Sequence, residues 1–154
     1  MTELIKTFYT AFQNLDAEGM ARCYHDEIIF EDPAFGILKG ERAGNMWRML
    51  CGSSRDLQIQ YSKIIANKDT GSADWIADYT FQRTGRKVHN EIQAEFIFKD
   101  GRIIGHRDDF NLHSWARQAL GMKGLLIGGT SFFKKKLIQQ TNRLLTKFEA
   151  RRHS

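Results

Sequence analysis

The chain has one proline, Pro33, and two cysteines, Cys23 and Cys51, among 154 residues. With so little proline and no Ser/Gly-rich or low-complexity run, nothing marks a linker, and the length fits one folded unit of about 100–150 residues. The cysteines lie in helical patterns without metal-ligand spacing, which excludes a disulfide scaffold and leaves reduced packing thiols. No apolar stretch nears the ~20 residues needed to span a bilayer. The amphipathic start, MTELIKTFYTAF, does not read as a signal peptide, so a cytoplasmic protein is expected. Gly-rich phosphate loops, nucleophile elbows and zinc spacings are also missing, and neither metal nor cofactor is expected.

Acidic residues are scarce at one end only. Residues 131–154 carry Lys134, Lys135, Lys136, Arg143, Lys147, Arg151 and Arg152 against Glu149 alone, a formal +6. The whole chain is +5, so residues 1–130 are close to neutral at −1. Nucleic acid is therefore not expected as a partner, because the positive charge belongs to a single helix and not to the body.

Leu4, Ile5, Phe8, Phe12 and Leu15 recur at helical spacing and predict a helix over about 2–14. Asp16 can cap a second, short helix through Tyr24. Ile28–Asp32 reads as a brief strand stopped by Pro33; a loop punctuated by Gly36 and Gly40 follows, then a third helix marked by Ala43, Met46, Trp47 and Leu50. From Leu57 the period becomes two, with turns at Asp69-Thr70-Gly71, Thr84-Gly85 and Asp100-Gly101. The last strand is expected to place Ile104, His106, Asp108, Phe110 and Leu112 on one face. A helix over 114–120, a Gly-rich break over 121–130 and a tail helix striped by Leu137, Thr141, Leu144, Leu145 and Phe148 complete the chain. Helices followed by hairpins predict an α+β fold with helices on one sheet face.

Polar residues on an apolar face are where chemistry is sought. Asp108 and His106 point to the core side of their strand, where an unpaired charge is costly. Asp32 ends an apolar strand, and partial desolvation there raises a carboxyl pKa toward the range useful for proton transfer. Asp32 could equally bond turn amides, and His106 could be a satisfied core histidine.

Phe-Tyr-x-Ala-Phe, Phe30-Glu31-Asp32-Pro33, Tyr79-x-Phe81, Asp100-Gly101-Arg102-Ile103 and His106-Arg107-Asp108-Asp109-Phe110 together resemble the nuclear transport factor 2-like superfamily. The resemblance covers roughly residues 2–121 and implies a cone: a curved antiparallel sheet wrapped around three helices and enclosing a pocket. On this reading residues 1–121 are the cone domain, and residues 122–154 are a break and a basic amphipathic helix packed on the domain or extending from it. Against ketosteroid isomerases, Asp32 matches the base aspartate, while the oxyanion-hole places fall on Phe8 and Ala94, neither a donor. Against limonene-epoxide hydrolase, Asp108 matches the water-activating aspartate. The places of its arginine and second acid there fall on Trp75 and Ala77, and its tyrosine and asparagine fall near Phe30 and Asp32. Polyketide cyclases of the SnoaL type need only a pocket aspartate, often with a histidine, and Asp108 and His106 fit.

The resulting expectation is a small-molecule enzyme moving protons on an apolar cyclic substrate, with Asp108 as base or acid and His106 or Asp32 as its partner. Phe30, Tyr61, Trp75, Tyr79, Asn90, Phe96 and Phe110 would form the binding wall. The alternative is a non-catalytic ligand-binding or protein-interaction module of the same fold. The resemblance also implies a homodimer through the sheet. A lone amphipathic helix usually covers a core, so the tail is expected to pack on the body or a second subunit; contact with an anionic membrane surface is the alternative.

Overall fold

The computed structural model describes residues 1–153. Helix α1 (Thr2–Gln13) buries Ile5, Phe8, Tyr9 and Phe12, the i, i+3, i+4, i+7 stripe of an amphipathic helix. Asp16 caps α2 (Ala17–Cys23) by accepting a hydrogen bond from the Gly19 amide. Strand β1 (Tyr24–Asp32) follows directly and turns through Pro33 into β2 (Gly36–Lys39). Helix α3 (Glu41–Ser53) precedes β3 (Gln58–Ala66), β4 (Thr70–Phe81), β5 (Arg86–Lys99) and β6 (Arg102–Asp109). Helices α4 (Leu112–Leu120), α5 (Met122–Ile127) and α6 (Ser131–Arg152) end the chain.

The six strands form one sheet in the order β2-β1-β6-β5-β4-β3. Its two sides converge on α1: Phe8 stacks on Tyr24 of β1, and Tyr9 stacks on Tyr61 of β3. The sheet is thus curled around the helices. It is not wholly antiparallel as the sequence suggests. β1 runs parallel to β6, with Phe30 opposite His106; the connection between them spans α3 and four strands, long enough for a parallel pairing. The Asp100-Gly101 turn has both residues at positive φ, 51° and 73°, the geometry a two-residue hairpin requires.

Three local readings need correction. The loop at 36–40 contains β2, four residues that pair with β1 and are too short to show a period. In β6 the register shifts between Ile97↔Gly105 and Phe98↔Ile103. Ile104 is the extra residue of this bulge, so Ile103, not Ile104, is buried. β6 stops at Asp109, and Asn111 caps α4 by accepting from the Ser114 amide, so Phe110 and Leu112 do not extend the strand. The third correction is at 121–130. These residues contain α5, whose Gly124 lies so close to α4 that a Cβ there would sit 1.8 Å from the Ala116 carbonyl oxygen. The glycines that suggested a break serve close helix packing.

Helix α6 lies against α3 and the β1–β2 turn. Thr141 Oγ1 donates to the Ala34 carbonyl (2.9 Å) and Asn142 Nδ2 to that of Phe35 (2.8 Å). Arg42 on α3 pairs with Glu149 and donates to the Asn142 carbonyl oxygen and Oδ1, both at 3.2 Å. Of the expected stripe, Leu145 is fully buried and Phe148 packs on the main core, while Leu144 is exposed.

Candidate functional site

His106 and Asp108 lie on the inward face of β6 at 2% and 3% exposure, charged or titratable groups in an otherwise apolar and aromatic core. The bonds that hold them form a chain, whose direction is set by assigning His106 its proton on Nε2, the nitrogen that faces the Asp108 acceptor. Trp47 Nε1 can only donate, and it does so to the Tyr24 hydroxyl oxygen at 2.8 Å. Tyr24 then offers its proton to His106 Nδ1, 2.7 Å away. A neutral imidazole that accepts at Nδ1 carries its proton on Nε2, and that atom lies 2.9 Å from Asp108 Oδ1. The same Oδ1 receives Trp75 Nε1–H at 3.2 Å. Oδ1 therefore takes two donors, whereas Oδ2 accepts no hydrogen bond from any described residue.

Aromatic rings enclose this chain. Phe96, Phe30 and Phe8 lie with centroids 4.6, 5.2 and 5.4 Å from the His106 ring, and Trp47 stacks on it at 6.2 Å. Tyr9 is fully buried beside Trp75 and Phe96. Among the described residues its hydroxyl is the one buried side-chain polar atom without a partner. Leaving such a donor unpaired costs ~1–3 kcal/mol, so it marks a place where a group from outside the fold would be welcome. Burial pushes the Tyr9 phenol well above its usual range, and the charge of Asp108 adds to this.

Asp32 ends β1 on the same inward face as Ile28 and Phe30. Its Oδ1 accepts from the Ala34 and Phe35 amides at 2.9 and 2.6 Å, the turn-stabilising role its position before proline suggests. Burial nevertheless pushes its carboxyl up to about 7; the two amide bonds oppose the shift and the charge of Asp108 adds to it. The turn is sealed from outside by Thr141 and Asn142 of α6.

Of the expected wall, Phe30, Trp75 and Phe96 surround the His106–Asp108 pair, and Tyr61 covers Tyr9. Tyr79 reaches both cores, and its hydroxyl accepts from Trp115 Nε1 (2.7 Å) on the side under α4. Phe110 packs between the two cores. Asn90 stands opposite Ala77 in β5, half-buried and away from the pair. Two recesses open on the surface, of about 340 Å³ beside Asp56, Asp78 and His89 and about 450 Å³ beside Ile65 and Ile97; neither includes Asp108 or Asp32. Tyr9, Tyr24 and Trp47 are missing from the site residues expected from sequence. Tyr24 shares even-numbered parity with Ile28, Phe30 and Asp32, the one signal that could have placed it on the strand's inward face.

This arrangement has counterparts. The SnoaL-like domain family matches residues 5–106. The chain belongs to that family. Among curated proteins, none matches it. Solved structures share the SnoaL-like fold at low identity. TerC co-crystallised with polyporic acid superposes with a TM-score of 0.64 at 18% identity, covering 75% of this chain and 95% of TerC. An epoxide hydrolase of the limonene-epoxide type from M. tuberculosis gives 0.64 at 20%, covering 80% and 90%. A protein of ketosteroid isomerase-like fold from Catenulispora acidiphila, in complex with trimethylamine, gives 0.67 at 12%, covering 76% and 92%. Within the SnoaL-like frame the indole of Trp75 supplies Asp108 with a neutral donor. This falls where the resemblance to limonene-epoxide hydrolase places an arginine, and Trp75 brings the hydrogen bond without the charge.

Proposed function

We propose that this SnoaL-like protein moves protons on an apolar cyclic substrate that carries a carbonyl group, in the manner of an isomerase or cyclase. The observation that carries the reading is the half-satisfied Asp108 carboxylate, saturated at Oδ1 and free at Oδ2, in the same interior as the unpartnered Tyr9 hydroxyl. Asp108 Oδ2 takes a proton from the carbon next to the carbonyl, and the C–H electron pair moves onto the carbonyl oxygen. Tyr9 donates its hydrogen bond to that oxygen as charge develops, a contribution typically worth ~2.7–4 kcal/mol. Asp32, neutral up to about pH 7, returns a proton at a second position. Trp47, Tyr24 and His106 touch no substrate in this scheme. They hold the Asp108 carboxyl in orientation.

The rings supply a flat apolar wall, consistent with TerC having been crystallised with polyporic acid. The outer face of the sheet supports a homodimer: exposed Ile29 and Ile97 flank Gly105 in register across β1, β6 and β5. A second reading has its own support. The interior is packed with rings, and α6 clasps the Asp32 turn, which suits a module that binds a ligand or partner without turning it over.

Deuterium uptake separates the two readings. A panel of hydroxylated polycyclic ketones is incubated with the protein in D2O and followed by mass spectrometry. At least one member is expected to exchange faster with the wild-type chain, and Asp108→Asn should slow that exchange by ~100-fold or more. No exchange across the panel, or exchange untouched by Asp108→Asn, favours the non-catalytic module.

A further inference from the structure

Between α4 and the first turns of α6 the surface carries a ridge that no described part of the chain covers. Met122, Leu126 and Phe132 are 71%, 74% and 72% exposed, with Leu125 and Ile127 also on the surface. The exposure is built in. Gly124 and Gly128 face α4, where a Cβ would come within 1.8 Å of the Ala116 carbonyl oxygen and 2.5 Å of the Ala116 Cβ respectively. His113 Nε2 binds the Leu125 carbonyl oxygen at 2.8 Å. The small side of α5 is thereby locked inward and its large apolar side is held outward.

Cations surround the ridge and acids are absent from it. Lys123, Lys134, Lys135 and Lys136 are exposed, and none has a carboxylate partner among the described residues. Lys136 Nζ lies 5.9 Å from the centre of the Phe132 ring. The sequence holds no Asp or Glu between Asp109 and Glu149. We propose that this α5–α6 ridge docks on an anionic lipid surface, Met122, Leu126 and Phe132 entering the acyl boundary and the lysines meeting the headgroups. The part of α6 involved is its exposed start, not the stripe near Leu145 that packs on the body.

The charge arrangement selects this occupant. A second copy presenting this same patch would bring lysines and no carboxylate to face them, since the sequence has no acid between Asp109 and Glu149. Nucleic acid would match the lysines but would bury aliphatic side chains against phosphate. Anionic lipid satisfies both halves of the patch. The inference does not rest on the proton-transfer reading.

Flotation with vesicles tests it. The intact protein is mixed at ~0.1 M salt with phosphatidylcholine vesicles, with or without ~30 mol% phosphatidylglycerol. Binding to the anionic vesicles is expected, with little to the neutral ones. Replacing Lys134, Lys135 and Lys136 by Gln should weaken it about 100-fold, near fivefold per lysine. Leu126→Ser with Phe132→Ser should abolish it while leaving the unfolding temperature unchanged, both side chains being exposed. Should that variant fold poorly, Phe132→Trp provides a second readout: its emission is quenched by brominated anionic lipid if residue 132 inserts. Failure to bind anionic vesicles, equal binding to neutral ones, or no quenching of the introduced indole overturns the proposal. So does light scattering that shows Leu126→Ser with Phe132→Ser splitting a dimer without any vesicle binding.

Discussion

Replacing Asp32 with asparagine should stabilise the protein above neutral pH and leave it unchanged in acid. Burial raises the Asp32 carboxyl from its ordinary 3.8 to about 7 in the folded chain. Between those limits the unfolded chain has released the proton while the folded chain keeps it, so stability falls as pH rises through this window and the loss is complete above about pH 7. A displacement of that size corresponds to about 4 kcal/mol as a ceiling, and partial solvent access lowers this to ~2. The Asp32→Asn variant would keep the fold's local needs, because only Oδ1 accepts from the Ala34 and Phe35 amides and an amide oxygen can do the same. Urea denaturation of both proteins from pH 4 to pH 8.5 isolates the effect, since titrating groups not coupled to Asp32 cancel in the difference. At pH 8 the variant should gain ~2–4 kcal/mol, or roughly 5–10 °C in Tm, with the gain vanishing toward pH 4. A difference that does not vary with pH, or an asparagine variant less stable at pH 8, would refute the claim that a desolvated carboxyl sits there.

Other outcomes follow from the bonds around the pair. Asp108→Ala leaves the Trp75 and His106 N–H groups buried without an acceptor and should cost ~2–4 kcal/mol in chemical denaturation; Asp108→Asn, which keeps an oxygen for both, should cost less than half of that. Tyr24→Phe strands both Trp47 Nε1–H and His106 Nδ1 and should destabilise by ~2–3 kcal/mol, with the His106 side-chain nitrogen signals moving in NMR. Tyr9→Phe removes the unpartnered hydroxyl, so it should hold or raise stability by up to ~1 kcal/mol while abolishing any proton transfer detected in the deuterium assay. Arg42→Ala cuts the contacts to Glu149 and Asn142, and hydrogen exchange should quicken in α6 and the β1–β2 turn before it does in the sheet.

What could be read from sequence follows the range of the forces involved. The α1 stripe at Ile5, Phe8 and Phe12, the Asp16 cap and the Asp100-Gly101 hairpin depend on neighbours within a few residues and stand in the structure, whereas Leu15, read into the stripe, is exposed beyond the helix end. The inward pointing of His106 and Asp108 follows from strand alternation and needs only the correct parity. The bulge at Ile104 flips that parity one residue earlier, and nothing local announces it. The parallel β1–β6 pairing joins residues some eighty positions apart, and the chain Trp47–Tyr24–His106–Asp108 depends on it. Tyr24 and Trp47 read locally as ordinary core residues, because only the closed sheet brings their polar ends to the imidazole. Tyr9 was hidden for the opposite reason. An unmade hydrogen bond leaves no trace in sequence.

The SnoaL-like family has a lesson here about substitution at a site. The place where an arginine would hold the aspartate in the epoxide-hydrolase resemblance carries Trp75, and the oxyanion place on α1 carries Phe8. One step along the helix, Tyr9 supplies a hydroxyl to the same interior, and Trp75 still donates to Asp108. At Asp108 a donor is kept while its charge is not.

The central claim is that Asp108 Oδ2 and the Tyr9 hydroxyl meet the same bound molecule. A crystal structure with the tightest-binding polycyclic ketone of the panel tests it most directly. The account predicts a ligand oxygen within ~2.6–3.2 Å of Tyr9 Oη and the adjacent carbon facing Asp108 Oδ2, with one or more of the enclosing rings turned aside. A ligand seated in the surface recess beside Asp56 and His89, with Tyr9 and Asp108 undisturbed, would contradict it.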